Sequence, residues 1–319
     1  MNSFAIILVL GGGLRYTTIE VLIYQLARIE LDFSGAASLA FLQGGLSLIG
    51  MAIMLKGRDR RVDQESASKS WLPEKLRNRS MKAWFGLCWI LLVLIFALGP
   101  LFAILMDSFR KFEHGEWIYT WYWYSELFTW RENNYFLSSL WNSLRIGLGS
   151  ALISSISGLG LVSIIAYRKG VKRRFWEMLT LFPIALSTVV FGVAWFHFYQ
   201  GHLAGTVPLI FVVMAMHALL TCPYWIRIVL PTLESIPLQW HIESKMLGKQ
   251  PLEYGVRILW PWLSKTFLIA FFFSFSLSLG ELNSTMMIAD ETVRTLPLEI
   301  YGAISGYRFS YASAVAVIL

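Results

Sequence analysis

The chain has 319 residues, 56% of them hydrophobic and only 15% charged, with a formal net charge of +7. Soluble domains carry about a quarter charged residues, so an ordinary water-soluble fold is excluded. The basic charge is confined to a few short connections, which argues for lipid and against nucleic acid as the partner of the excess charge.

Long charge-free runs alternate with compact polar segments, the layout of an all-α, polytopic membrane helical bundle. An apolar stretch over 4–10 opens the chain. It has no basic n-region and runs into Gly11-Gly12-Gly13, so it is not read as a signal peptide. Roughly 20 helical residues cross the hydrocarbon. The runs 35–55, 83–106, 138–167, 175–199, 207–226 and 266–289 reach that length, and a partial one covers 311–319. Cys88 and Cys222 sit inside such runs and offer neither a disulfide framework nor metal-ligand spacing.

Lys and Arg set the orientation. The connections 56–82, 168–174 and 227–265 carry nine, five and five of the 27 basic residues. The opposite set, 13–34, 107–137, 200–206 and 290–310, carries two, three, none and two, and Arg145 lies within a span. The positive-inside rule places the first set in the cytoplasm. The aromatic stretch "EWIYTWYWYSELFTW" (116–130) then faces outside, as an interfacial belt or a docking surface for an external protein. Within 138–167, Arg145 is close enough to the outer end to snorkel, and Gly147, Gly149, Gly158 and Gly160 suit close helix packing. His197, His202 and His217 are scattered and read as packed or interfacial histidines, not metal ligands.

Between the last two full spans lies "HIESKMLGKQPLEYGVRILWPWL" (241–263), charged and punctuated by Gly and Pro. It predicts two short helices: Gly248 ends the first, Pro251 opens the second, and Pro261 breaks that one where the chain re-enters lipid. Apolar Met246, Leu247, Leu252, Val256, Ile258 and Leu259 alternate with Glu243, Lys245, Lys249, Glu253 and Arg257. Such a pair can rest on the bundle and offer a charged rim to a cytoplasmic partner; it can equally be an interfacial loop with no partner. Farther on, Glu281 is a carboxylate at membrane depth, followed by Asn283, Ser284 and Thr285. These residues read as a translocation path or gate, or as a hydrogen-bond anchor between helices.

Residues 17–40 and 294–317 are similar at a constant offset of 277. Thr18 falls on Thr295, Ile23-Tyr24 on Ile300-Tyr301 and Ala37 on Ala314. The expectation is that 1–55 is the C-terminal tail of a preceding unit, 56–82 a basic cytoplasmic linker, and 83–319 a second unit truncated in its last helix. On that reading the native polypeptide extends at both ends, or a separate partner supplies the rest.

The elbow also carries a resemblance. Permease subunits of binding-protein-dependent ABC importers have a cytoplasmic signature of the form E-A-A-x3-G-x9-I-x-L-P. Here Gly248, Ile258, Leu259, Trp260 and Pro261 stand at that spacing, and "MLGKQPLEYGVRILWPWL" resembles the loop throughout. The front departs, with Ile242 at the Glu position and Glu243 and Ser244 at the two Ala positions. "LGGGLRYTTIEVLIYQ" and "RTLPLEIYGAISGYR" are similar to the half-ends of the fused iron(III) and thiamine permeases.

The resemblance implies an importer-type bundle in the bacterial plasma (inner) membrane and a solute such as iron(III) or thiamine delivered by an external solute-binding protein. It also implies a second permease half, fused or separate, and a loop (241–262) seated on a dimeric ATP-binding cassette ATPase subunit. Glu243, Ser244, Gly248, Pro251, Ile258 and Pro261 would form that loop. The chain has no G-x4-G-K-[ST] phosphate loop, since Gly248-Lys249 is followed by Gln250. The expectation is therefore a transport subunit with no catalytic residues, cofactor or metal of its own. An ion-coupled secondary transporter is the alternative, since such proteins also carry repeats and broken helices. A membrane enzyme would need a nucleophile–base or metal constellation that no span displays.

Overall fold

The computed structural model describes residue 7 and residues 18–58, 81–129, 135–166, 168–248 and 250–319. Apart from Ile7, the opening apolar stretch and the glycine triplet lie outside the described residues, as does most of the 56–82 linker. Among the described residues the chain is helical but for one hairpin. Five helices are long and apolar enough to cross a bilayer, six if one bent pair counts as a span. It is an all-α polytopic membrane bundle. The chain divides into two compact units, Met1–Leu48 with Ser138–Leu298 and Ile49–Leu137 with Glu299–Leu319.

In the first unit, α1 (Ile19–Tyr24) starts at Thr18, whose hydroxyl accepts from the Val21 N–H at 3.5 Å, and continues into a π-helical turn over Gln25–Ile29. Leu31 takes a left-handed φ of 56°, and the Asp32 carboxylate then accepts from the Gly35 N–H at 3.0 Å to start α2 (Phe33–Arg58). The second sequence copy has the same local form: a short helix Leu296–Ser305, a left-handed residue, Tyr307 (φ 57°), and a further helix Phe309–Ile318.

The second unit is built on α3 (Met81–Asp107), whose apolar window has no buried residue within the structure. The start of the aromatic stretch forms β2 (Glu116–Tyr119), paired in an antiparallel hairpin with β1 (Arg110–Glu113). His114 (φ 53°) and Gly115 (φ 85°) supply the positive-φ pair that a tight hairpin turn needs. The Lys111 ammonium, 3.0 Å from Glu113, hydrogen-bonds its carboxyl and holds it below the usual carboxylate range. The following α4 (Tyr122–Phe128) is pinned by Trp123 Nε1 donating to the Arg110 carbonyl at 2.7 Å.

The rest of the first unit comprises α5 (Phe136–Ala166), α6 (Gly170–Ala185), α7 (Thr188–Phe198), α8 (Leu209–Glu234), α9 (Leu238–Met246), α10 (Pro251–Tyr254), α11 (Trp260–Leu279) and α12 (Asn283–Ile288). The segments Leu296–Ser305 and Phe309–Ile318 are α13 and α14. Helices α5, α8 and α11 pack around two apolar clusters. One gathers Val162, Ile165, Trp225, Ile226, Leu263 and Ala270; the other gathers Ile146, Val213, Met216 and Ile288.

Three sequence expectations change. The run 175–199 is not one continuous helix: α6 and α7 meet at 93°, with Leu186 and Ser187 extended between them. The break holds because the Ser187 hydroxyl finds the Glu20 carboxylate at 2.8 Å. The run 266–289 stops at Leu279, and after Gly280 the Glu281 carboxylate starts the separate helix α12 by accepting from the Ser284 N–H at 3.0 Å. Pro261 does not break a helix. It sits in the first turn of α11, and a π-helical turn over Gly255–Leu259 carries α10 into α11 without a gap. The wider register, with Trp260 N–H bonded to the Gly255 carbonyl, accommodates the proline that a regular helix would resist.

At Gly192 two backbones run close together. A Cβ there would lie 2.7 Å from the Ser284 carbonyl oxygen and 2.9 Å from its Cα, whereas one on Gly160 would meet nothing within 4 Å. Gly192→Ala should therefore lower stability by about 1–3 kcal/mol through overpacking against backbone, and Gly160→Ala should be neutral or slightly stabilising. Thermal unfolding of the two detergent-purified variants checks the contrast.

Candidate functional site

Helix α8 ends at Glu234 and the chain turns through Ser235–Pro237 into α9, the first arm of the elbow. Gly248 has φ +67°, the left-handed geometry expected after a helix end, and Pro251 opens α10. Met246 and Leu247 at the bend are 82% and 75% exposed, unusual for large apolar side chains in a charged segment. Between the arms lies a cleft of about 530 Å³ whose lining includes Trp240, Glu243, Ser244, Tyr254, Arg257 and Ile258. Glu243 is exposed, Ser244 is buried, and Ile258 is half-buried.

Two features make the elbow stiff. Trp240 meets Trp262 edge-on at 5.3 Å between ring centres, fixing α9 to the base of α11. The second arm is one uninterrupted helical path from Pro251 to Leu279, with Glu253 and Arg257 paired one turn apart at 3.2 Å. The elbow also lies at the end of the unit where basic residues collect. Arg173, in the 168–174 connection, pairs with Glu234 at 2.7 Å, and Thr232 meets Thr266 at 3.2 Å. Of the candidate loop residues, Glu243, Ser244 and Ile258 thus share one cleft, Gly248 forms the bend, and Pro251 and Pro261 stand at two helix starts.

Glu281, Asn283 and Thr285 are also brought together, around a packed seam. Every residue of α12 is buried. Glu281 Oε1 accepts from both the backbone N–H and the hydroxyl of Ser284 at 3.0 and 3.2 Å. Asn283 Nδ2 donates to the Thr188 hydroxyl at 3.1 Å. The Thr285 hydroxyl donates to the Glu281 carbonyl at 3.0 Å and lies 2.8 Å from His217 Nε2. His217 Nδ1 is 2.8 Å from the Ser278 hydroxyl. Because Thr285 spends its only proton on the Glu281 carbonyl, the ring satisfies both neighbours with its proton on Nε2 and Nδ1 accepting from Ser278. At the other end of α12, the Arg28 guanidinium donates to the Met286 and Ala289 carbonyls at 3.0 and 3.1 Å.

No protein-family model matches the chain. The sequence is 24% identical over 322 residues to the thiamine transport system permease protein ThiP of Brucella abortus (strain 2308), covering all of this chain and 56% of that protein. It is 24% identical over 324 residues to the ThiP of Escherichia coli (strain K12), covering 99% of this chain and 57% of that one. Over 195 residues it is 26% identical to the "Probable sulfate transport system permease protein cysT" of Prototheca wickerhamii, 56% of this chain and 74% of that protein. Over its whole length the chain is thus similar to transport system permease proteins. It spans a little over half the length of the thiamine permeases that it matches.

Two residues that organise the seam are not marked in the sequence. His217 was one of several scattered histidines; only the packing of α8 against α11 and α12 gives it two hydroxyl partners. Arg28 lay in an external connection, with nothing in the sequence to pair it with residues 258 and 261 positions away. The Arg145 guanidinium stacks 4.7 Å over the Trp141 ring, one turn earlier in α5.

His217→Ala removes both hydroxyl contacts from a fully buried position. Stripping a buried polar group of its partner costs about 1–3 kcal/mol, so the variant should melt earlier than wild type. His202→Ala, at an exposed site, should not change the melting point. Scanning fluorimetry in detergent reads both.

Proposed function

We propose that this chain is the membrane-spanning part of an ATP-driven importer that moves thiamine or a thiamine-like solute into a bacterial cytoplasm through the inner membrane. An external binding protein delivers the solute, and a separate ATP-binding cassette dimer engages the elbow. The chain-long similarity to thiamine permeases supports the substrate class. The relatives named above carry thiamine and sulfate in their names, so iron(III) gains no support from them.

The observation that carries the coupling reading is the unbroken helical path from Pro251 to Leu279, joined at Gly248 to an arm with exposed apolar Met246 and Leu247. A push on the bend is transmitted along a hydrogen-bonded rod into α11, whose far end meets His217 through Ser278. A flexible loop at this position would absorb the displacement. The repeated helix, left-handed residue, helix pattern at 19–58 and 296–318 supports the expected organisation, with 1–55 as the tail of a preceding unit and 83–319 as a second unit. Residues 281–285 serve as an internal brace in this state, with Glu281, Asn283 and Thr285 available to move only if α12 shifts as a whole.

Gly248→Val forces a β-branched side chain into a left-handed backbone position, at a cost of about 1–2 kcal/mol. The variant should insert at wild-type levels, while transport per ATP hydrolysed falls at least tenfold in proteoliposomes with the cognate ATPase and binding protein. Wild-type transport stoichiometry in that variant would remove the coupling role. A companion, Gly201→Val, away from the elbow, should leave coupling intact.

A further inference from the structure

The coupling reading leaves the contacts of residues 18–48 unused, although this segment touches both interrupted spans of the first unit. Four sets of contacts place it there. The Arg28 guanidinium donates to the Met286 and Ala289 carbonyls at 3.0 and 3.1 Å, where the last turn of α12 presents carbonyls that no helical N–H can satisfy. The same guanidinium lies 5.5 Å from the Phe196 ring centre, and Phe33 stacks on that ring from α2 at 6.3 Å. The Glu20 carboxylate accepts from Ser187, the residue at the α6–α7 break, and from Gln43 of α2 at 3.3 Å. Gly44 of α2 packs against Leu186 at the same break, so closely that a Cβ would come within 3.1 Å of its Cδ2.

These contacts are electrically ordered. Helix α12 has the Glu281 carboxylate at its N-terminus and the Arg28 cation at its C-terminus, the favourable sense at both ends. The repeat has no equivalent in its second copy. At the offset of 277, Glu20 and Arg28 fall on Pro297 and Ser305, which cannot supply a carboxylate or a guanidinium. The two copies share the helix, left-handed residue, helix pattern and differ at these two charged positions.

We infer that residues 18–48 are a strap binding the two broken spans of the first unit, with Arg28 as its anchor. The strap holds by these contacts and not by its covalent connection through 59–80. The permease would then stay associated as two polypeptides when that connection is cut. The inference does not rest on the transport reading, and its test involves no transport.

The test uses the full chain with an affinity tag at its N-terminus and a specific protease site placed within 59–80. After purification in detergent the site is cut, and the C-terminal piece is followed on the tag resin. The wild-type piece should remain bound over hours. Arg28→Ala should release it at least tenfold faster. Arg28→Lys should keep most of the retention, because one ammonium can donate to both carbonyls. Arg145→Ala should match wild type, which separates loss of the anchor from loss of any cation. Immediate separation of the wild-type pieces, or equal retention in Arg28→Ala, overturns the inference. If uncut Arg28→Ala does not elute as a single species, Phe33→Ala, which removes the stack on Phe196 and leaves Arg28, is read instead. Wild-type retention in Phe33→Ala then overturns it.

Discussion

A backbone that breaks its helix at membrane depth exposes N–H and C=O groups to hydrocarbon, where each must find a partner within the protein. The first unit meets this constraint twice, at the α6–α7 bend and between α11 and α12. At the bend the Ser187 carbonyl accepts from the Phe191 N–H, while its hydroxyl donates to Glu20. At the second break side chains answer, Glu281 taking up the Ser284 N–H and Arg28 the Met286 and Ala289 carbonyls. The breaks also lie together: Gly192 of α7 runs so close to Ser284 that no Cβ fits between them. Two irregularities that would each be costly alone are thereby resolved against one another.

That arrangement gives the polar seam its character. Glu281, Asn283, Thr285 and His217 are buried, yet every one has a hydrogen-bond partner at 3.2 Å or less. A hydrogen-bonded polar network in a low-dielectric core is stiff, because moving one member strands its partners. The elbow has the opposite surface character with similar stiffness beneath it. Its apolar tip is exposed and its second arm is continuous with α11. The two sites are joined through α11, whose Trp262 meets the elbow arm and whose Ser278 meets His217. A displacement at one end of that rod has a direct path to the packed seam at the other.

Much of this was legible in the residues. Hydropathy located the spans, the Lys and Arg bias grouped the connections, and Gly248 with Pro251 marked the bend at the position where the backbone turns left-handed. These features are local or periodic, so each is written within one stretch of chain. The two misplaced spans share a cause. In 175–199 and 266–289 hydropathy runs on through a break, because Leu186, Gly280 and Leu282 are as apolar as a helix interior. Pro261 failed in the opposite sense, since a proline rule assumes regular helical register and the preceding turn is wider.

By itself, the sequence determined that the protein is a helical membrane bundle and that a bent charged segment lies between two spans. It could do so because partition into lipid depends on the composition of contiguous runs. Tertiary structure alone decided where helices stop inside those runs, that His217 joins Ser278 to Thr285, and that Arg28 reaches a helix end 258 residues away. Those outcomes turn on which lone pairs and protons meet across helices. Pairing of that kind is a property of packing and leaves no period in the chain.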